Sequence, residues 1–248
     1  MNSALPFSIV IPTYNEAGGI EDLLRALDDV FRANALDGEI VVVDDNSPDG
    51  TGAIVDRLAQ ALPVRCLHRP GKMGLSSGVI DGWSVARKES LALGAMDADF
   101  SHDVNALPKM VEALASGRYG LAVGSRYVAG GGIANWPRRR IVTSRVACWL
   151  ARPLTKVKDV TSGYFLVRRD ALEGVSLDPI GFKIGLEVIV KAKYGDVLEV
   201  PYVFKDREVG ESKLNQKEIV NYLKQLGKLY AARIAPRGDV APAASGGR

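Results

Sequence analysis

The feature that most constrains this chain is an alternation, through its first half, of short β-branched runs with stretches of helical periodicity. FSIVIP (Phe7–Pro12) is a brief apolar run closed by a turn residue, and Ile20, Leu23, Leu24, Leu27, Val30 and Phe31 then recur at amphipathic helical spacing. EIVVVDD (Glu39–Asp45) is apolar on both faces, as strands inside a parallel sheet are. Ser47-Pro48-Asp49 predicts an N-cap with proline in the first turn of a helix reaching about Leu62. A strand at VRCLHR, a helix across SSGVIDGWSVAR and a strand at SLALGAM continue the order. A helix near Leu107–Ser116 and a strand at YGLAVGSRY follow. This βαβα succession predicts an α/β fold: an open, mostly parallel, twisted sheet with helices on both faces.

The second half is less regular. RRRIVTSRVACWLARPLTKVK reads as a basic amphipathic helix bent at Pro153, TSGYFLVRR as a strand, FKIGLEVIVKAKYG as a helix and DVLEVPYVF as a final strand. A polar loop, KDREVGESK, precedes a helix carrying Ile219, Leu223, Leu226, Tyr230 and Ile234 on one face. APRGDVAPAASGGR has the composition of a disordered tail.

Formal net charge is only +3, too little to argue for nucleic acid. Its distribution says more. Between Glu112 and Asp159 there is no acidic residue, whereas Arg118, Arg126, Arg138, Arg139, Arg140, Arg145, Arg152, Lys156 and Lys158 all fall there. A one-signed block in a nearly neutral chain points to an anionic partner. Cys66 and Cys148 stand far apart in apolar surroundings, which argues against a disulfide framework or a cysteine zinc site and fits a reducing cytoplasm. No window approaches the ~18 apolar residues of a spanning helix, and MNSALPFSIVIP lacks the basic start of a signal peptide. The expectation is a soluble or peripheral protein.

In open α/β sheets ligands bind beyond the carboxyl ends of the strands, and three polar motifs fall there: IPTYNE, VVDDNSPDG and MDADFSH. In the last of these, Asp97 and Asp99 lie two positions apart with Ala98 between them. One use is a division of labour, one acid hydrogen-bonding a ligand hydroxyl and the other holding a hard cation that bridges phosphates. The other is capping of the following helix. Asp44-Asp45 at the end of a second strand favours the first use. An aspartyl phosphatase would carry its D-x-D after the first strand, and a nucleotidyltransferase a glycine-rich loop there; neither pattern is present.

The set SIVIPTYNE, VVVDDNSPDGT, MDADFSH and VGSRY resembles the family 2 glycosyltransferases. NWPRRRIVTSR, DVTSGYFLVRR, GFKIGLEVIVKAKY and REVGESKL narrow the resemblance to the dolichyl- and polyprenyl-phosphate mannose synthases, from about Phe7 to Leu214. The Q-x-x-R-W signature of polymer-forming members is absent. The resemblance implies a glycosyltransferase A-type catalytic domain over 1–214, a C-terminal amphipathic helix over 215–235 and a disordered tail over 236–248. It implies inverting transfer of mannose from GDP-mannose to a lipid phosphate, with Mg²⁺ or Mn²⁺, at the cytoplasmic face of a membrane.

Carried over by position, Pro12, Tyr14 and Glu16 would line the base and ribose, with Asp45 and Lys72 nearby. Asp97, with Ala98 beside it, would contact the donor, and Asp99 the metal. Some relatives have glutamine at the Ser101 position; serine is a shorter ligand. Arg126, an arginine of Arg138, Arg139 and Arg140, and Ser144 would contact the acceptor phosphate, while Arg207 and Lys213 would close over the phosphates. Another donor, UDP-glucose or a UDP-amino sugar, would suit the same fold and acceptor. A non-catalytic, membrane-associated sugar-nucleotide-binding subunit would lack one of these acids or cations, and all are present.

A phosphate monoester acceptor has a second pKa of ~6 and is already a dianionic nucleophile at neutral pH, so no general base is required. Bringing a dianion to an anionic donor requires arginines and a divalent cation instead. The blander readings stand beside these. Arg138–Arg140 could be a solvated face, and the apolar residues after them either core or membrane contacts. Arg207 and Lys213 could pair with Glu208 and Glu211. Glu187 could be structural or near the acceptor, His102 near the metal or a cap, and Trp83 and Tyr164 read as packing. The last helix could lie on a bilayer, dock on the domain or bind a membrane-anchoring protein partner.

Overall fold

The computed structural model describes residues 5–205 and 216–234. In chain order the first half runs β1 (Phe7–Thr13), α1 (Ile20–Ala33), β2 (Gly38–Asp44), α2 (Thr51–Leu58), β3 (Val64–His68), α3 (Leu75–Val85), β4 (Ala92–Ala95), α4 (Leu107–Ala115) and β5 (Tyr119–Ser125). The second half runs β6 (Gly132–Ala134), α5 (Arg138–Leu150), β7 (Phe165–Arg168), α6 (Ile184–Lys191), β8 (Asp196–Pro201), β9 (Val203–Lys205) and α7 (Gln216–Ile234). Seven strands form one sheet in the order β3-β2-β1-β4-β7-β5-β8, and β6 pairs with β9 in a small second sheet.

The main sheet is parallel except for β7, which runs antiparallel to both β4 and β5. Gly124 N, at the end of β5, donates to Tyr164 O, just before β7, at 2.8 Å. The chain between them therefore leaves and re-enters the sheet at the same edge, and can return only in the opposite sense. That excursion carries β6 and α5 across the carboxyl ends of the strands.

Burial on both faces explains the composition of the strands. In β1, Phe7, Ile9 and Ile11 enter one core with Leu23, Leu27, Leu107 and Leu114, while Val10 enters the other with Val79, Trp83, Ile184 and Leu186. Pro12 lies in β1 beyond the last residue paired with β4, where its missing N–H leaves no sheet hydrogen bond unmade. Trp83 donates Nε1–H to Gly94 O at 2.9 Å and Tyr164 is fully buried, so both are packing residues.

Several local expectations are corrected. The second helix begins at Thr51, because Ser47 bonds back to Asp44 and Asp49 Oδ1 receives Thr51 N and Oγ1 instead. Helix α5 ends at Leu150 and does not bend through Pro153. The last strand splits at Tyr202 into β8 and β9. Helix α7 docks on the domain through Tyr222, Leu226 and Leu229, so the single face expected to carry Ile219 and Leu223 with Leu226 is divided: Ile219 and Leu223 are 42% and 49% exposed. The polar loop with Arg207 and Lys213 and the C-terminal tail lie outside the described residues.

Candidate active site

The first two strand-end motifs are bonded to each other. Asn15 N donates to Ser47 Oγ, Glu16 N to Thr51 Oγ1 and Ala17 N to Asp49 Oδ2, each at 3.0 Å. Asn15 and Asn46 make these turns at φ 60° and 57°, in the left-handed region that asparagine tolerates. The third loop is drawn in by Asp45. Its Oδ1 accepts from Arg69 Nε at 2.6 Å, and its Oδ2 from Met73 N and Gly74 N at 3.0 and 3.1 Å. Arg69 also donates to Asp81 Oδ2 at 3.0 Å and Gly74 O at 2.9 Å. Folded over in this way, the loop sets the Lys72 ammonium 4.0 Å from the centre of the Tyr14 ring. Tyr14, Asp45 and Lys72 thus form one rim. The Asp45 carboxylate is committed within it and holds its shape.

The acids after β4 sit in a tight turn. Phe100 has φ 56°, which brings Ser101 N back to Asp99 Oδ1 at 3.1 Å. A bulky side chain in the left-handed region is strained, a cost that clusters at functional turns. His102 is buried beneath the turn. Its Nδ1 accepts from Asp97 N at 3.1 Å, and its ring stacks on Tyr164 with centroids 5.1 Å apart. Burial holds the imidazole below its usual pKa, against the pull of Asp97 and Asp99. His102 therefore locks the backbone of the turn.

Asp97, Ala98 and Asp99 line a cleft of about 260 Å³ together with Pro12 and Glu16. Ser101 Oγ is buried with no hydrogen-bond partner among the described residues. The two carboxylates offer the cleft oxygen donors of the kind that a hard divalent cation such as Mg²⁺ or Mn²⁺ takes, whereas Ser101 does not line it.

Arg126 enters the cleft from the end of β5. Its Nε and Nη2 grip Asp159 Oδ2 and Oδ1 at 2.7 and 2.6 Å, and Nη2 also donates to Thr161 Oγ1 at 2.7 Å. Burial pushes the Asp159 carboxyl upward, and the Arg126 hydrogen bonds more than offset this, leaving it below the ordinary carboxylate range. Thr161 Oγ1 lies 3.1 Å from Ser144 Oγ, which places Ser144 of α5 beside Arg126. The Arg140 guanidinium stacks 3.8 Å from the centre of the Trp136 ring and also lines the cleft. Of the arginine triplet, Arg140 faces the cleft; Arg138 and Arg139 are exposed and do not line it.

Sequence reasoning missed three contributors. Asp159 is the acid that ends the cationic block, and it neutralises the block's most buried arginine. Thr161 links Arg126 to Ser144. Lys183 lines the same cleft and donates to Thr161 O at 3.4 Å. Burial and the Arg126 charge lower its pKa to about 8. Glu187 is structural: it pairs with Lys191 and accepts from Asp178 N at 3.1 Å. Away from the charged end the cleft becomes apolar, bounded by Val146, Ala147 and Leu150 of α5 and Ile219, Tyr222 and Leu223 of α7.

Solved structures share this fold. A Pyrobaculum calidifontis mannosyltransferase in complex with GDP-mannose and Mn²⁺ superposes with TM-score 0.60 at 19% identity, over 93% of this chain and 64% of that one. A mannosyl-3-phosphoglycerate synthase from Rubrobacter xylanophilus gives 0.67 at 18%, over 92% and 74%. Nearer in sequence is a dolichol-phosphate mannosyltransferase of Pyrococcus furiosus, 42% identical over 90% of this chain. The chain spans 63% of that relative's length. The Saccharomyces cerevisiae dolichol-phosphate mannosyltransferase is 37% identical over 92% of this chain and 88% of its own. A polyprenol monophosphomannose synthase of Mycolicibacterium smegmatis is 40% identical over 85% and 82%. Residues 8–175, the segment holding every described strand-end loop up to β7, match glycosyl transferase family 2, and the chain belongs to that family.

Proposed function

We propose that the protein transfers mannose from GDP-mannose to a dolichyl or polyprenyl phosphate, inverting the anomeric configuration. The observation that carries this reading is the polarity gradient of the cleft. The Asp97–Asp99 turn, Arg126, Arg140 and Ser144 make its charged end, and Val146, Ala147 and Leu150 of α5 with Ile219, Tyr222 and Leu223 of α7 make a mainly apolar end, where Glu218 also lines the wall. A lipid phosphate needs both ends. A sugar acceptor would leave the apolar end without an apolar partner.

Pro12, Tyr14, Glu16 and Lys72 hold the nucleoside, with Asp45 fixing the loop that carries Lys72. Asp97 orients the donor, and Asp99 holds Mg²⁺ or Mn²⁺. When bound, that ion offsets the charge that collects on the departing diphosphate. Arg126 and Arg140 grip the acceptor phosphate and Ser144 donates to it. The phosphate oxygen attacks the anomeric carbon and the bond to the GDP β-phosphate breaks. No proton leaves the nucleophile, which is dianionic at neutral pH. Arg207 and Lys213, outside the described residues, would close over the phosphates.

The protein works as a peripheral enzyme on the cytoplasmic face of a membrane. No helix among the described residues is long and apolar enough to cross one. Val142, Val146 and Trp149, spaced for one face of α5, are exposed, as are Arg138, Arg139, Arg145 and Arg152 around them. An apolar stripe among cations suits an anionic lipid surface.

The test incubates the protein with GDP-mannose, UDP-glucose and a UDP-amino sugar, each with a ten-carbon isoprenyl phosphate or the matching alcohol. Transfer of mannose to the phosphate alone is expected. Transfer from UDP-glucose only, or to the alcohol only, overturns the donor or the acceptor assignment. Asp99→Asn should cut turnover by more than about 100-fold, as removal of a transition-state charge partner does. Near-full activity of that variant in excess Mn²⁺ would remove the metal assignment.

A further inference from the structure

The charges around Arg126 do not balance as a phosphate site needs. Arg126 is bound bidentately by Asp159, which is fully buried, so the pair brings geometry to the cleft and no net charge. Lys183 differs. It makes no ion pair among the described residues, and its one hydrogen bond is the long contact to Thr161 O at 3.4 Å. Its position is nonetheless specific. Thr161 receives Arg126 Nη2 at 2.7 Å and meets Ser144 Oγ at 3.1 Å, so Arg126, Ser144 and Lys183 converge on one residue from β5, α5 and the start of α6. The backbone there is pinned as well, since Gln225 Nε2 of α7 donates to Lys183 O at 3.3 Å.

Resting on the function proposed above, we propose that Lys183 adds net positive charge to the acceptor site beside Arg140. The Lys183 ammonium binds the terminal phosphate of the isoprenyl phosphate and selects it over the alcohol. The ammonium is half-buried, 4.3 Å from the centre of the Phe182 ring and without a carboxylate partner among the described residues, and an arriving dianion would supply the missing counter-charge. Desolvation and the Arg126 guanidinium lower its pKa to about 8, against the pull of Asp97 and Asp159, and the group remains charged at neutral pH. Arg126 then fixes orientation while Lys183, together with Arg140, contributes the charge selectivity.

The test compares the full chain with Lys183→Met and Lys183→Gln in three measurements. These are KM for a ten-carbon isoprenyl phosphate, KM for GDP-mannose, and melting temperature without ligands. A charged hydrogen bond of ordinary strength predicts acceptor KM raised roughly 10- to 100-fold in both variants. Donor KM should stay within about 2-fold, and the melting temperature should hold, because the variants break only the long hydrogen bond to Thr161 O and no ion pair among the described residues. An unchanged acceptor KM, a rise in donor KM alone, or loss of the folded state in both variants would each overturn the proposal. A wild-type protein that neither binds nor mannosylates the isoprenyl phosphate would instead fail the function on which the proposal rests.

Discussion

The Arg126–Asp159 pair shows how one residue's surroundings decide what it can do. Both side chains are buried, and Asp159 also accepts from Arg126 N at 2.9 Å, so the carboxylate holds the guanidinium and the backbone that presents it. Substituting one partner strands the other charge, and buried pairs broken in this way typically cost about 3 kcal/mol or more. Asp159→Asn should therefore lower unfolding free energy by about 3 kcal/mol in urea titrations at pH 7. The sign of the pH dependence follows from the depressed folded-state pKa of Asp159. Its contribution is complete above the unfolded carboxyl's pKa of about 3.9 and is lost as pH falls toward the lower folded value. The gap between wild type and variant should be full above about pH 5 and should close on acidification. A gap that stayed constant down to pH 2 would mean that Arg126 does not hold the carboxylate.

At the scale of elements, the close approach of β4 to β7 makes one glycine indispensable. A Cβ on Gly94 would lie 2.4 Å from Leu166 Cδ2 and 2.7 Å from Phe165 O, and the second of these is backbone. Gly94→Ala should cost about 1–3 kcal/mol, as overpacked cores do. The same change at Gly227, exposed within α7 and with nothing within 4 Å of a new Cβ, should instead add about 0.5–1 kcal/mol. Opposite shifts of the urea midpoint are expected, and a stabilised Gly94→Ala would discredit the β4–β7 packing. Elements differed in how far the sequence disclosed them. β1, β2 and β4 were legible because their residues enter two cores and must be apolar on both faces. The reversed direction of β7 was not, since strand direction depends on where the chain re-enters the sheet. The docking face of helix α7 was not legible either: Ile219 and Leu223 keep helical spacing with Leu226, but the buried side is made by Tyr222, Gln225, Leu226 and Leu229. The acids of the site were legible because they interrupt apolar runs. Lys183 and Asp159 were not, because each acquires its meaning from a partner distant in the chain.

At the scale of the whole molecule, a net charge of +3 conceals a strongly one-sided distribution. The part of the acid-free block after β5 crosses the carboxyl edge of the sheet; Arg126 and Arg140 line the cleft, and Arg145, Arg152 and Lys158 line a second surface pocket with exposed Trp149. Trp149 is 70% exposed, and a tryptophan left in water gives up burial worth roughly 1.5–3 kcal/mol. If a bilayer supplies that burial, Trp149→Ala should weaken binding to vesicles containing anionic lipid by about tenfold or more, read by co-sedimentation. The fold should be unaffected, because little of this side chain packs on the domain. Turnover with the ten-carbon acceptor in free solution should be unchanged as well, since Trp149 does not line the cleft. Raising salt from about 0.05 to 0.5 M should weaken wild type and variant alike, because the surrounding arginines act through a screened field. The tryptophan contribution should survive that screening. Equal vesicle binding by the two proteins at both salt concentrations would show that this face meets something other than a lipid surface.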